Sequence, residues 1–284
     1  MDILALGGLN LDILGQSEGP IVPGDSNPGS VGVRAGGVCH NIAAELAGMG
    51  HRVSLLSCLG RDRFSALLRE ICAAEGIDTR LCLDGGGNAG VYLCLHAPDG
   101  EIAAALNDMR CMNALTADAV LSRLEGCRPD LMVLDCNLPA DTLAAVAEAW
   151  GSRVPVFLDP VSVFKAERCL PILRHLAAIK PNLTEARRLT GQNDPFLCAG
   201  ALLDGGVKRV FISMGKDGVL FASEKERGVC PAAALPEGTP LTGAGDALCA
   251  GLISGMLLSL SAAGCAELGV RTAARRLTRP GNSL

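Results

Sequence analysis

Apolar residues along this chain come in short continuous runs, separated by longer stretches in which they recur every three to four positions. The runs at 2–8, 53–58, 131–135, 155–159, 177–180 and 209–213 predict strands buried on both faces. The stretches at 38–49, 64–75, 140–150, 166–174, 183–190, 196–205 and 243–260 predict helices. Regular alternation of the two predicts an α/β fold, with a mostly parallel sheet covered by helices on both faces. No charge-rich or Pro/Ser-rich linker and no internal repeat divides the 284 residues, so one domain over 1–284 is expected.

Two segments break the alternation. Residues 12–35 form a Gly/Pro-rich excursion between the first strand and the first helix. Residues 88–106 hold two apolar runs around Pro98-Asp99-Gly100, a hairpin signal. Val91-Tyr92-Leu93 and Ile102-Ala103-Ala104 are too apolar for a solvated loop.

Composition narrows the class. Hydrophobic residues make up 49% and aromatic residues only 3%, so the core must be built of Leu, Val, Ile and Ala. A net charge of -5 and a pI near 5.4 argue against a nucleic-acid surface. The 13 cysteines are scattered through apolar segments without a Cys-x-x-Cys, as small reduced core residues would be. His40, His51, His96 and His175 share no ligand spacing, so no zinc site is implied. Met1-Asp2-Ile3 enters the first run without a basic leader, and no unbroken apolar stretch reaches membrane-spanning length. A cytoplasmic protein with neither membrane nor nucleic-acid partners is expected.

The sharpest chemistry lies at Thr242-Gly243-Ala244-Gly245-Asp246, a small-residue turn running into the apolar stretch 247–260. A helix starting there leaves backbone N–H groups free at its positive end, a ready anion site. A carboxylate in that first turn is unwelcome beside an anion unless it has work to do. Accepting the proton of a hydroxyl that attacks phosphorus is such work. A glycine-rich helix start with an acidic first turn is the plainer reading of the same residues.

The turn has company. Gly7-Gly-Leu-Asn-Leu-Asp12, Gly36-Gly-Val-Cys-His-Asn-Ile-Ala43, Lys180-Pro-Asn-Leu-Thr-Glu185, Ser213-Met-Gly-Lys-Asp-Gly218 and Thr242-Gly-Ala-Gly-Asp246 follow one another in this order. Together they resemble the PfkB (ribokinase-like) family of sugar and nucleoside kinases over nearly the whole chain. Within that family, Gly24-Asp-Ser-Asn-Pro-Gly29, Leu106-Asn-Asp-Met109, Asp135-Cys-Asn137 and Asp159-Pro-Val-Ser-Val-Phe-Lys165 are most similar to pseudouridine kinases. The resemblance implies a three-layer α/β/α fold in which 12–35 and 88–106 form a small β-sheet lid. It implies an ATP-dependent kinase using Mg²⁺ on a nucleoside or sugar, and a homodimer through the lid.

Roles follow from the same resemblance. Asp246 is the base, and the amides of Gly243, Ala244 and Gly245 take up phosphoryl charge, with Thr242 on the nucleotide side. Asp12 and Asn41 hold the ribose with Gly36 and Gly37 against it, and Asn10 stands beside them; turn and cap chemistry alone would also use such residues. Asn182 and Glu185, three apart, can hold water on Mg²⁺, Glu185 acting on the metal through that water; the same spacing makes a helix capping box. Ser213, Gly215, Lys216 and Gly218 match the nucleotide-side loop. Asp25, Ser26, Asn27, Asn107, Asp108, Asn137 and Lys165 offer donors and acceptors to a nucleobase. Asp25 or Asn107 could accept the extra ring N–H of pseudouridine, and loop turns would account for either. Phe164 reads as core or as a surface for the base.

The chain also departs from the family. Pro240 stands where the family carries an acidic or amide residue, which argues against activation by K⁺. The segment after Ala263, with Arg271, Arg275, Arg276 and Arg279, is short and matches poorly, so adenine contacts do not transfer. These departures favour the competing reading, a catalytically poor nucleoside-binding protein. A dinucleotide-dependent oxidoreductase lacks its Gly-x-Gly-x-x-Gly after the first strand.

Overall fold

Leu131, Met132, Val133 and Leu134 are all fully buried, as a strand covered on both faces requires. The computed structural model of the chain describes residues 1–236 and 238–279. In chain order its strands are β1 (Asp2–Leu6), β2 (Asn10–Ser17), β3 (Gly29–Gly36), β4 (Arg52–Leu56), β5 (Cys58–Leu59), β6 (Ile77–Asp78), β7 (Leu83–Asp84) and β8 (Gly90–His96). There follow β9 (Ile102–Asp108), β10 (Leu131–Asp135), β11 (Val156–Asp159), β12 (Ala178–Ile179), β13 (Arg209–Ser213), β14 (Val219–Ser223) and β15 (Arg227–Cys230). The helices are α1 (Val38–Gly48), α2 (Arg63–Ala74), α3 (Ala117–Arg123), α4 (Ala140–Trp150), α5 (Val163–Ala166), α6 (Leu183–Thr190), α7 (Pro195–Asp204), α8 (Ala244–Leu257) and α9 (Ala262–Leu277).

The large sheet has the order β15-β14-β13-β12-β11-β10-β1-β4-β6. From β13 to β6 its neighbours run parallel, and β14 and β15 close one edge antiparallel. Strand alternation sorts its side chains into two cores. Ile3, Ala5, Val133, Phe157 and Phe211 pack under α1, α8 and α9, whereas Leu4, Leu6, Met132, Leu134, Leu158 and Ile179 pack under α4, α6 and α7. The fold is therefore a three-layer α/β/α arrangement with a mostly parallel central sheet.

The two excursions meet in a separate four-stranded sheet of order β3-β2-β8-β9. Its hairpin turns at Pro98-Asp99-Gly100, where Gly100 has φ 86° and its amide bonds Ala97. The strands reach slightly beyond the expected segments, to Asn10 and Gly36 on one side and to Asp108 on the other.

Several elements differ from the sequence reading. The first strand ends at Leu6, because Gly7 turns away under a buried carboxylate. The helix expected at 166–174 is instead α5 followed by a 3₁₀ stretch, Glu167–His175; Pro171 has no N–H to continue an α-helix. The long helix expected at 243–260 stops at Leu257, and Ser259 adopts a left-handed turn (φ 57°). The segment after Ala263, read as short and poorly matched to the family, lies in α9, 16 residues packed along α8. Its N-terminus is secured by Ser261 and by the Glu226 carboxylate, which accepts from the Ala262 and Ala263 amides.

Candidate active site

The carboxyl ends of the parallel strands carry a buried polar row. Asp135 ends β10 and Asp159 ends β11, side by side in register. Two carboxylates there would repel each other, and each is answered differently. Asp135 accepts from the amides of Gly8 (2.9 Å), Cys39 (3.0 Å) and Asn137 (2.9 Å) and from the Asn137 side chain (2.9 Å). Burial pushes its carboxyl up and these donors pull it back. A β-carbon on Gly7 would fall 2.3 Å from Asp135, so glycine is required there. Asp159 is paired with the buried Lys180 ammonium at 2.9 Å, and its other oxygen accepts from the Val161 amide at 2.7 Å. Val161 is held at φ 70°, a strained position for a β-branched residue.

Above this row α1 meets α8. Asn41 on α1 donates to Asp246 on α8 at 2.8 Å. Burial, with help from the Asp159 charge, pushes the Asp246 carboxyl up to about 6, while Asn41 and Lys180 hold it from going higher. Gly243 caps α8 in the left-handed conformation (φ 80°), which glycine alone adopts freely. Among the described residues the amides of Gly243, Gly245 and Asp246 have no hydrogen-bond partner, and so remain open to an anion. The Ala244 amide is different: it bonds the Leu241 carbonyl at 3.2 Å and is less free than its place in the motif suggests.

Asn41, Asp246, Thr242, Gly243 and Asp12 line one cleft of about 490 Å³. Asp12 lies on β2, accepting from Asn10 at 2.6 Å and facing Arg34 at 3.5 Å; burial raises its carboxyl. Gly36 and Gly37 are each required by the fold itself. A β-carbon on Gly36 would strike the Asp12 carboxylate at 2.4 Å, and one on Gly37 (φ 100°) the Gly8 carbonyl at 2.4 Å. The cleft also contains residues without a site role in the sequence reading. Arg276 of α9 is held by Glu45 at 3.1 Å, its guanidinium beside Gly243, and His40 meets Glu75 at 2.8 Å.

Strand register sets a polar row across the small sheet. Arg34, Asp12, Tyr92 and Asn107 are direct neighbours on β3, β2, β8 and β9, and therefore share a face. Asn107 thus joins Asp12. Asp25 does not: its carboxylate caps the Ser26 amide within an exposed loop, and the Asn27 side chain closes the same loop onto Val22. Asp108 is held by Arg110. Asn137 is committed to Asp135 and to Lys165, whose ammonium donates to it at 2.6 Å; burial lowers the Lys165 ammonium. Phe164 is 99% exposed, so it is not core.

A second cluster lies at the ends of β12 and β13. Asn182 and Glu185 form a full capping box, at 2.8 and 2.9 Å. Glu185 remains buried with its carboxyl raised by desolvation, and among the described residues no hydrogen bond reaches its other oxygen. Asn182 bridges to Ser213, which brings the two motifs together. Gly215 and Gly218 shape the following turn at φ 62° and 90°, and a β-carbon on Gly218 would meet the Cys230 carbonyl at 2.1 Å. Lys216 is exposed there. The 13 cysteines are free thiols; Cys58 touches Cys111 and Cys136 touches Cys169, pairings that spacing along the chain hides.

Asp135, Asp159 and Lys180 escaped the sequence reading as site residues. Their signal was present: each closes an apolar run with a charge, an unusual step for a strand buried on both faces.

A three-layer fold with an anion-ready helix start, a raised carboxyl beside it and a polar cleft suits a phosphotransferase acting on a hydroxyl group, and the family match gives that class. The chain belongs to the pfkB family of carbohydrate kinases, which it matches over residues 1–284. It is 34% identical over 259 residues to the pseudouridine kinase of Escherichia coli, covering 89% of this chain and 82% of that one. A carbohydrate kinase from Agrobacterium tumefaciens superposes with a TM-score of 0.86 at 27% identity, over 99% of this chain and 92% of the other. Arabidopsis thaliana ribokinase, solved with ribose and ATP, shares the fold with a TM-score of 0.84 at 21% identity, over 98% and 93% of the two chains.

Proposed function

We propose that the protein is an ATP-dependent kinase that phosphorylates the 5′-hydroxyl of pseudouridine. The observation that carries this reading is the Asn41–Asp246 bond, which joins the ribose-side residues and the base in one cleft. Asp246 takes the proton of the 5′-hydroxyl as that oxygen bonds to the γ-phosphorus and the bridging P–O bond to ADP breaks. The open amides of Gly243, Gly245 and Asp246 take up the charge on the transferring group. Asp12 and Asn41 hold the ribose, and the small sheet acts as a lid that keeps water out. The nucleotide lies along Asn182, Ser213 and the Gly215–Gly218 turn.

A bound Mg²⁺ would neutralise charge on the nucleotide phosphates, and Asn182 and Glu185 are the residues that would hold it through water molecules. The unbonded Glu185 oxygen is suited to hold one of those waters.

Pseudouridine is favoured as substrate by the Escherichia coli relative and by the polar row reaching Asn107 on the small sheet. Asn107, rather than the loop-bound Asp25, is the acceptor we assign to the extra ring N–H. The likeness to a ribokinase supports ribose or another nucleoside as the second reading. We also infer a cytoplasmic homodimer formed through the small sheet. Among the described residues no helix is long and apolar enough to cross a membrane. ADP release with Mg-ATP, scanned over pseudouridine, uridine, cytidine, adenosine, inosine and ribose with products identified by mass, tests the reading. Preference for pseudouridine supports it, and turnover of ribose or another nucleoside instead moves the assignment to the second reading. Nucleoside binding without turnover identifies a degenerate binder.

A further inference from the structure

The buried Lys180 bridges the two clusters of the site. It follows β12, faces the α8 side of the sheet, and is only 6% exposed. Lysine is seldom buried this deeply, and a buried ion pair is a poor device for stability alone. Its surroundings are crowded with acids. Asp159 arrives from β11, with Asp135 of β10 beside it, Glu185 from α6 and Asp246 from α8; the Cys249 thiol bonds Asp159, and Asn41 of α1 bonds Asp246. Arg276 of α9 reaches Gly243, at the outer side of the same turn.

Three observations separate Lys180 from a plain partner for Asp159. The ammonium has three N–H donors, and among the described residues its one ion-pair partner is Asp159, at 2.9 Å. A β-carbon on Gly245 would lie 3.6 Å from Lys180 Nζ, so the ammonium sits directly beneath the turn whose amides are open. The Asp159 carboxylate keeps it firmly charged despite its burial.

We propose that Lys180, anchored by Asp159, is a positioning residue that supplies the fixed positive charge beneath the Gly243–Gly245 turn, against which Asp246 and the incoming phosphoryl group are held. This rests on the phosphotransferase reading of the site and on none of the substrate assignment. Lys180 also restrains the Asp246 carboxyl from rising further, so its loss moves Asp246 upward.

The test compares Lys180→Met with the double variant Asp159→Asn/Lys180→Met. The single variant leaves Asp159 buried and unanswered and loses stability; the double is neutral at both places and regains it. In the double variant kcat should stay about 10²-fold low while KM for the acceptor moves less than about threefold. The acid limb of kcat/KM should shift about one pH unit upward in the single variant and return toward wild type in the double, where the Asp159 charge is also gone. Wild-type kcat in the double variant, or an unmoved acid limb in the single, overturns the proposal. Calorimetry with inorganic tripolyphosphate gives a readout independent of turnover. Affinity should fall at least about tenfold in the double variant, and unchanged affinity overturns the proposal even where no acceptor is phosphorylated. Absence of wild-type turnover together with that fall sinks the kinase reading alone.

Discussion

Asp246 shows how one residue can be useful and costly at once. Burial gives its carboxyl a value of about 6, near the working pH of a general base. We expect kcat/KM to climb with pH through an acid limb close to that value; a flat profile between pH 5 and 7 would remove Asp246 as the base. The same shift acts on stability. A carboxyl whose folded value is raised is no burden below its unfolded value, and stability is lost as pH rises through the folded one. Asp246→Asn should therefore abolish turnover and stabilise the protein by about 1–2 kcal/mol at pH 7.5. In urea melts that gain should vanish near pH 4. Gly36 marks the other side of the cleft, where any β-carbon meets the Asp12 carboxylate. Gly36→Ala should displace Asp12 and raise KM for the acceptor about tenfold or more with a smaller change in kcat. Equal losses in both would mean that Asp12 does not hold the ground-state substrate.

At the scale of elements, α8 carries Asp246 on its first turn and must be held in place along its length. It crosses α9 at glycine: a β-carbon on Gly251 would lie 2.6 Å from the Gly269 α-carbon, and one on Gly255 2.9 Å from that of Cys265. The close approach explains why a helix interior tolerates residues that weaken it. Gly251→Val should force the pair apart and cost about 1–3 kcal/mol, read as a lowered denaturation midpoint. Activity per folded molecule should fall with it, because the α8 start shifts relative to Asn41. Unchanged stability would show that the two helices can separate without strain.

At the scale of the molecule, the small sheet has two unlike faces. One bears Arg34, Asp12, Tyr92 and Asn107; the other shows Val31, Val33, Leu93 and Leu106, which are 73, 51, 43 and 71% exposed. An exposed apolar face rimmed by polar residues is a candidate contact with another molecule. A second copy of the same sheet is the occupant we infer. Val33→Glu/Leu106→Glu should convert a dimer into a monomer by light scattering. A monomeric wild type at micromolar concentration would discard that inference.

The sequence by itself determined the alternation of strand and helix and the order of the motifs. It also marked the glycine-rich helix start at Thr242–Asp246, because those features are local: run length, period and glycine content depend on neighbours along the chain. It placed Asn41 and Asp246 each on a helix without revealing that they touch across 205 positions. Only tertiary structure decided that Asn107 joins Asp12 through strand register while Asp25 is spent on its own loop. It likewise assigned Gly36 to clearing Asp12 and set Lys180 beneath a turn that lies far along the chain. Asp135 and Asp159 each closed an apolar run with a charge, a signal whose weight came from burial, which a sequence does not display. The C-terminal helix was hidden for a related reason. Its buried face, Ala262, Cys265, Ala266 and Gly269, has helical spacing but is made of small residues, and α8 supplies the surface against which they pack.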